Sequence, residues 1–246
     1  MCNSQKVKIA KNAEEAAYFS TNHIPYIVWL NEDNKNQSFP SGAYCVEDIN
    51  DIDEAYEDRV YRRFKGIPWD IAETPRLKIR EIKVEDVKRL YELYRDESIT
   101  RYMEPLFEDP KQEEAYTKAY IKNVYGFYGY GMWIIESKES GQVIGRAGLE
   151  YKEGIDGLEM GVMLGADYQH KGYAYEACCA VLNYGVSVLG QIKYYVFIEK
   201  NNTASISLCM RLGFIKEDMI KRTEINRDGI KIDRAYLRYV CNMPKN

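Results

Sequence analysis

The stretch LEMGVMLGADYQHKGYAYEACCAVLNYGVSVL, residues 158–189, limits the folds open to this chain more than any other. LEMGVML alternates: Leu158, Met160, Val162 and Leu164 fall on one face of a strand, and Glu159, Gly161 and Met163 on the other. YEACCAVLNYGVSVL reads as a helix. YQHKGYA (168–174) joins the two and holds one glycine, one lysine and no bulky aliphatic side chain. A strand that turns into a helix N-terminus presents unpaired backbone N–H groups and the positive end of the helix dipole. Such a turn receives an anionic group such as a pyrophosphate. Gly172 has no Cβ and lets the anion touch the main chain; Ala174 is the next smallest choice, and Lys171 brings charge. The plain alternative is a solvated loop. A dinucleotide turn of the G-x-G-x-x-G kind, with Glu199 as its acid, wants three glycines where this turn has one.

The elements around this stretch predict a mixed α/β (α+β) domain. RLKIREI (76–82) reads as a strand, VEDVKRLYELYRD (84–96) and KQEEAYTKAYIKNVYGF (111–127) as helices. YGMWIIESK, QVIGRAGLEY and GLEMGVMLG (130–138, 142–151, 157–165) form a strand meander with turns at ESG and EGIDG. After the helix at 173–188 come a strand at 193–199, a helix at 203–214 stopped by Gly213, and two strands at about 215–225 and 231–241 joined by NRDG.

Ahead of this lies a smaller α/β unit, residues 1–70. It holds a helix capped by Asn12 with Glu15 in a capping box, the strand PYIVWL, a polar loop at 31–42 and a helix at 53–64. GIPWDIAETP (66–75), with one glycine and two prolines, marks the boundary, so the larger domain spans 71–246. The small unit carries no glycine fingerprint. Its expected role is a structural cap or a surface for self-association as a homodimer; an acceptor-selecting module is the alternative.

Net charge is −4, from 34 basic and 38 acidic residues, which gives no excess to neutralise a nucleic-acid backbone. Six cysteines without a CxxC pair, and two histidines, argue against a metal site and for reduced thiols in a cytoplasmic protein. No window reaches the length of a membrane span, and MCNSQKVKIAKN has no signal-peptide core.

From residue 76 to 246 the sequence resembles the GNAT family of acyl-CoA N-acyltransferases. EMGVMLGADYQHKGYAYEA (159–177) carries the strongest part of the resemblance. The family's phosphate turn, Q/R-x-x-G-x-G/A, is matched by Gln169, Gly172 and Ala174. TPRLKIR (74–80) matches the opening of the branch that acetylates N-terminal amines of ribosomal proteins and related small-molecule amines. Asn202, Ser205 and Leu212-Gly213-Phe214 follow in family order. The resemblance implies a central, mostly antiparallel sheet flanked by helices. It implies acetyl-CoA as co-substrate, held along residues 169–174 (Gln169, His170, Lys171, Gly172, Tyr173, Ala174) and by Asn202 and Ser205. It implies direct transfer to a small-molecule or peptide amine, without a covalent acyl-enzyme and without a metal.

Acyl transfer to an amine needs a base, because the neutral lone pair is the nucleophile, and a donor for the developing oxyanion. Glu159 is the expected base, on the strand face turned away from the helix; a solvated glutamate is the alternative. A backbone N–H near Met163 or Leu164 is the expected oxyanion donor, on a strand that in the family bulges and splays from its neighbour. Many family members carry a tyrosine four residues before the glycine of L-G-F; here that position is Cys209, a candidate acid or a core residue. Acceptor recognition is expected from 96–128 and 142–151, rich in tyrosine (Tyr102, Tyr116, Tyr120, Tyr125, Tyr128, Tyr130, Tyr151), with Glu104, Glu108 and Asp109 as acids. An acetyl-CoA-dependent N-acetyltransferase is the leading expectation. A degenerate domain that binds acyl-CoA as a sensor or scaffold is the alternative.

Overall fold

A computed structural model describes residues 6–226 and 229–244. The chain divides between Trp69 and Asp70 into two compact units. In the first, YIVW is apolar throughout and forms the middle strand of a three-stranded parallel sheet. The order is β1 (Lys8–Ala10), β2 (Tyr26–Trp29), β3 (Tyr44–Val46). A continuous apolar run suits a parallel strand covered on both faces. Tyr26 and Val28 pack with Ala16 of α1 (Ala13–Thr21), and Ile27 packs with Val60 of α2 (Glu54–Phe64). The Asn12 carboxamide accepts from Glu15 N at 2.8 Å and caps α1; the Glu15 carboxylate returns one residue earlier than in a standard box, to Lys11 N. Asp53 caps α2 through Tyr56 N.

In the second unit eight strands form one sheet, ordered β10-β11-β9-β8-β7-β6-β5-β4. The strands are β4 (Asp70–Glu73), β5 (Leu77–Arg80), β6 (Met132–Ser137), β7 (Val143–Tyr151), β8 (Leu158–Leu164), β9 (Lys193–Ile198), β10 (Ile215–Ile225) and β11 (Lys231–Asn242). All neighbours run antiparallel except β8 and β9. The division falls within 66–75, where the boundary was expected, and the stretch also holds strand β4. Pro68 and Pro75 flank the strand without interrupting its ladder, and Ile71 is buried. Arg227 and Asp228 of the expected NRDG turn lie outside the described residues.

The helices are α3 (Asp86–Tyr94), α4 (Glu97–Thr100), α5 (Pro110–Tyr120), α6 (Gly126–Tyr128), α7 (Tyr173–Ser187) and α8 (Thr203–Arg211). The helix expected over 111–127 is interrupted. Residues Ile121–Tyr125 widen into a π-turn. As a result Tyr120 and Tyr125, five positions apart, both bracket Met132. Tyr120 Oη accepts from Met132 N at 2.8 Å, and Tyr125 Oη donates to Met132 O at 2.5 Å. Arg80 forks onto Asp86 at 2.8 and 2.9 Å and reaches Glu136 at 3.0 Å, which pins β5 to the start of α3 and to β6. On the other face of the sheet Trp133 meets Tyr184 of α7 edge-on at 5.2 Å.

Candidate active site

Strand β8 pairs with β7 along its whole length, from Leu158↔Tyr151 to Leu164↔Gly145. It pairs with β9 at two positions only, Leu158↔Tyr194 and Glu159↔Tyr195. Beyond Glu159 the two parallel strands part. The edge of Met160–Leu164 is left without a strand partner on that side, and a cavity of about 510 Å³ opens in the wedge. Val162, Met163 and Leu164 form one wall; Asn202, Ser205, Leu208 and Arg211 form the other.

The cavity runs from the strand edge to the turn ahead of α7. Two residues of that turn are left-handed, His170 (φ 58°) and Gly172 (φ 81°). Glycine takes this conformation without a Cβ penalty, and histidine is among the other residues enriched there. Gln169 Nε2 donates to Leu164 O at 3.1 Å and fastens the turn to the end of β8. The N-cap of α7 is Gly172, and no side chain caps the helix. By contrast α8 starts on Asn202, whose Oδ1 accepts from Ser205 N at 3.1 Å. The first N–H groups of a fifteen-residue helix therefore stand uncapped beside the cavity, at the end lined by Gln169, His170, Gly172, Ala174 and Tyr175. These features fit a diphosphate at this end and an extended arm along the β8 edge.

The expected site residues separate. Met163, Leu164, Gln169, His170, Gly172, Ala174, Asn202 and Ser205 all line the one cavity. Lys171 and Tyr173 do not. The Lys171 carbonyl accepts from Arg76 Nη1 at 2.9 Å, and the Tyr173 ring lies 4.4 Å beneath the Arg76 guanidinium. Cys209 is 2% exposed and is not among the cavity's lining; burial, aided by Cys241, pushes its thiol up to about 12. A thiol so placed is a core group. Gly213 (φ 87°) ends α8 as expected, with Phe214 N donating to Cys209 O and Gly213 N to Met210 O.

Glu159 stands at the apex of the wedge, the last residue of β8 held by β9. It lies on the sheet face away from α7, since Met160 and its partner Leu149 belong to the α7 side. Its cross-strand partner is Glu150. Arg222 of β10 reaches Glu159 Oε2 at 3.3 Å while stacking 3.8 Å over the Phe197 ring. Burial raises the Glu159 carboxyl above its ordinary range and outweighs the opposing pull of Lys152 and Arg222. A carboxyl raised above its ordinary range by burial suits a general base.

The tyrosines divide in the same way. Tyr120 and Tyr125 are structural, Tyr128 stacks on Tyr151 at the surface, and Asp109 caps α5 through Lys111 N. Tyr102 lines the cavity and donates across it to Asn201 O at 3.1 Å. Sequence reasoning missed Tyr175 and Arg211 of the lining and the Arg222 partner of Glu159. Ala204, Ser207, Leu208 and Arg211 fall at helical spacing, a signal that finds Arg211. Nothing local marks Arg222, which is 63 residues from Glu159.

The sequence profile described as "Acetyltransferase (GNAT) domain" matches residues 76–215. The chain belongs to the GNAT acetyltransferase family. It is therefore an acyltransferase. The uncharacterized N-acetyltransferase p20 of Bacillus licheniformis is 31% identical over 154 residues, 61% of this chain and 85% of that protein. Two solved structures share the fold. One is an acetyltransferase of Salmonella typhimurium that modifies the N-terminal serine of a ribosomal protein (16% identity, TM-score 0.59, 72% of this chain and 100% of that one). The other is spermidine N-acetyltransferase of Vibrio cholerae in complex with CoA and spermine (20%, 0.55, 70% and 98%). Among the described residues no helix is long and apolar enough to cross a membrane, and no group of three or more His, Cys, Asp or Glu could hold a metal ion.

Proposed function

We propose that the chain moves an acetyl group from acetyl-CoA directly to a primary amine, with Glu159 as general base. One observation carries this reading. The wedge between β8 and β9 opens just beyond Glu159, and the cavity within it runs from Val162 to the uncapped start of α7. Acetyl-CoA supplies a thioester whose carbonyl carbon accepts the amine. The N–H groups at the start of α7 bind the diphosphate, and Arg211, poised 4.3 Å over the Tyr175 ring, adds a cation at the same mouth. The free edge of β8 near Met163 and Leu164 aligns the pantetheine arm and offers a backbone N–H to the developing oxyanion. Glu159 takes the ammonium proton, directly or through a water, and frees the lone pair. Cys209 lies off the cavity, so the departing thiolate takes its proton from solvent.

The acceptor reaches Glu159 from the sheet face opposite α7, where Glu150, Lys152 and Arg222 surround it. Proteins sharing this fold act on a ribosomal-protein N-terminus and on a polyamine, and a primary amine is common to both. A base raised at the apex of the cleft favours turnover over a binding-only module. A thiol-release assay with acetyl-CoA and a panel of N-terminal peptides, polyamines and aminoglycosides tests the reading. Release with one acceptor class supports it; stabilisation by acetyl-CoA without release from any acceptor overturns it in favour of a binding module.

A further inference from the structure

The two stretches that carried the family resemblance, TPRLKIR and YQHKGYAYE, meet in space. Arg76 lies in the turn between β4 and β5, and Glu176 in the first turns of α7. Arg76 Nε and Nη2 both reach Glu176 Oε2 at 2.6 Å. Thr74 Oγ1 donates to Glu176 Oε1 at 2.6 Å, and Arg76 N to the same oxygen at 3.1 Å. The third guanidinium nitrogen, Nη1, donates to Lys171 O at 2.9 Å, inside the phosphate turn itself. The guanidinium plane covers the Tyr173 ring at 4.4 Å. It also backs Gly172 closely, since a Cβ on that glycine would stand 3.4 Å from Nη2.

We infer that Arg76 is a positioning residue for the cofactor turn: it holds residues 171–173 in place around the left-handed Gly172 and neutralises Glu176, which would otherwise repel the diphosphate. This rests on the reading of 169–174 as the phosphate cradle. A carboxylate near a helix N-terminus stabilises the free helix but competes with a bound anion for the same field. Burial acts to raise the Glu176 carboxyl, yet the Thr74 hydroxyl and the Arg76 guanidinium outweigh it and hold the group below its ordinary range. Glu176 is therefore ionised and directed away from the cradle, with its charge matched by Arg76.

The test uses the full chain and four variants: Arg76→Met, Arg76→Lys, Glu176→Gln and the double variant Arg76→Met/Glu176→Gln. Arg76→Met should raise KM for acetyl-CoA about tenfold, the scale of losing charge-assisted hydrogen bonds, with kcat changed by no more than about twofold. Glu176→Gln should leave KM unchanged or lower it. The double variant should recover part of the affinity that Arg76→Met loses, because the unmatched carboxylate is gone. Arg76→Lys, which keeps the charge but not the fork, should fall between. Melting without ligand reports folding, and if Arg76→Met does not fold, Arg76→Lys and Glu176→Gln carry the opposite signs of the prediction. An unchanged KM in Arg76→Met, or in Arg76→Lys where that variant carries the test, overturns the inference. So does a double variant no better than Arg76→Met, or a loss confined to kcat. Failure of the parent chain to bind acetyl-CoA at all would instead overturn the cradle reading.

Discussion

Both units contain parallel strands followed by a helix, and they finish them in different ways. In the small unit β2 keeps a partner on each side, with three residue pairs to β1 and three to β3. Its helices start on Asn12 and Asp53, whose side chains take up the free N–H groups. In the large unit β8 and β9 separate after two pairs, and α7 starts on a left-handed glycine with no cap. The first arrangement satisfies its backbone internally and produces a core. The second leaves a strand edge and a helix end unsatisfied side by side, at a cost that a ligand with matching groups offsets. Unspent hydrogen-bonding capacity is what marks the second place as a site.

The largest effect should come at the apex of the opening. Glu159→Gln should lower kcat by about 10²- to 10⁴-fold while leaving acetyl-CoA binding intact, the range for a positioned general base. Unchanged turnover across pH would remove Glu159 from that role. The parent's activity should also fall on the acid side at a pH above the ordinary glutamate value of about 4.3, because burial raises this carboxyl. The sign for stability follows from the same shift. A carboxyl whose folded value lies above its unfolded value contributes stability at low pH and loses it as pH rises through the folded value. A pH–rate profile and a pH series of denaturant melts check the two.

Closing the opening from the helix end should give the next effect. Gly172→Val forces a branched residue into a left-handed conformation, at about 1–2 kcal/mol, and sets its Cβ 3.4 Å from Arg76 Nη2, which displaces the turn from its path. Affinity for acetyl-CoA should fall at least about tenfold, the scale of one charge-assisted hydrogen bond. An unaltered Kd would show that the anion binds elsewhere.

The smallest effects sharpen the contrast between the two kinds of helix start. Asp53→Ala should cost about 1 kcal/mol of local stability, read by hydrogen exchange over 54–64, with no effect on transfer. Asn202→Ala should cost a similar amount in α8 and also weaken acetyl-CoA binding, because Asn202 both caps that helix and lines the cavity. Equal effects of the two variants on KM would erase the distinction.

How much of this was legible beforehand follows the range of the interactions. The strand–turn–helix of 158–189, the cap at Asn12 and the helix stop at Gly213 are local. Alternation, spacing and turn chemistry exposed them. The placement of Glu159 on the face away from α7 followed from period two alone. Other features depend on contacts far apart in the chain and left no periodic trace. Asp70–Glu73 became an edge strand because its prolines fall outside the ladder. The helix over 111–127 widened into a π-turn so that Tyr120 and Tyr125 could both hold Met132. Cys209 and Lys171 carry plausible chemistry in sequence, yet the helix turn points one into the core, and the other lies off the cavity lining with its carbonyl taken by Arg76. Arg222 reaches Glu159 from a strand that no local pattern connects to it.

Amide hydrogen exchange of the full chain with and without acetyl-CoA tests the central claim most directly. The account predicts new protection in two segments, the β8 edge at 160–164 and the start of α7 at 173–176, with none gained in 6–69. Protection absent from both segments, or gained only in the small unit, would contradict it.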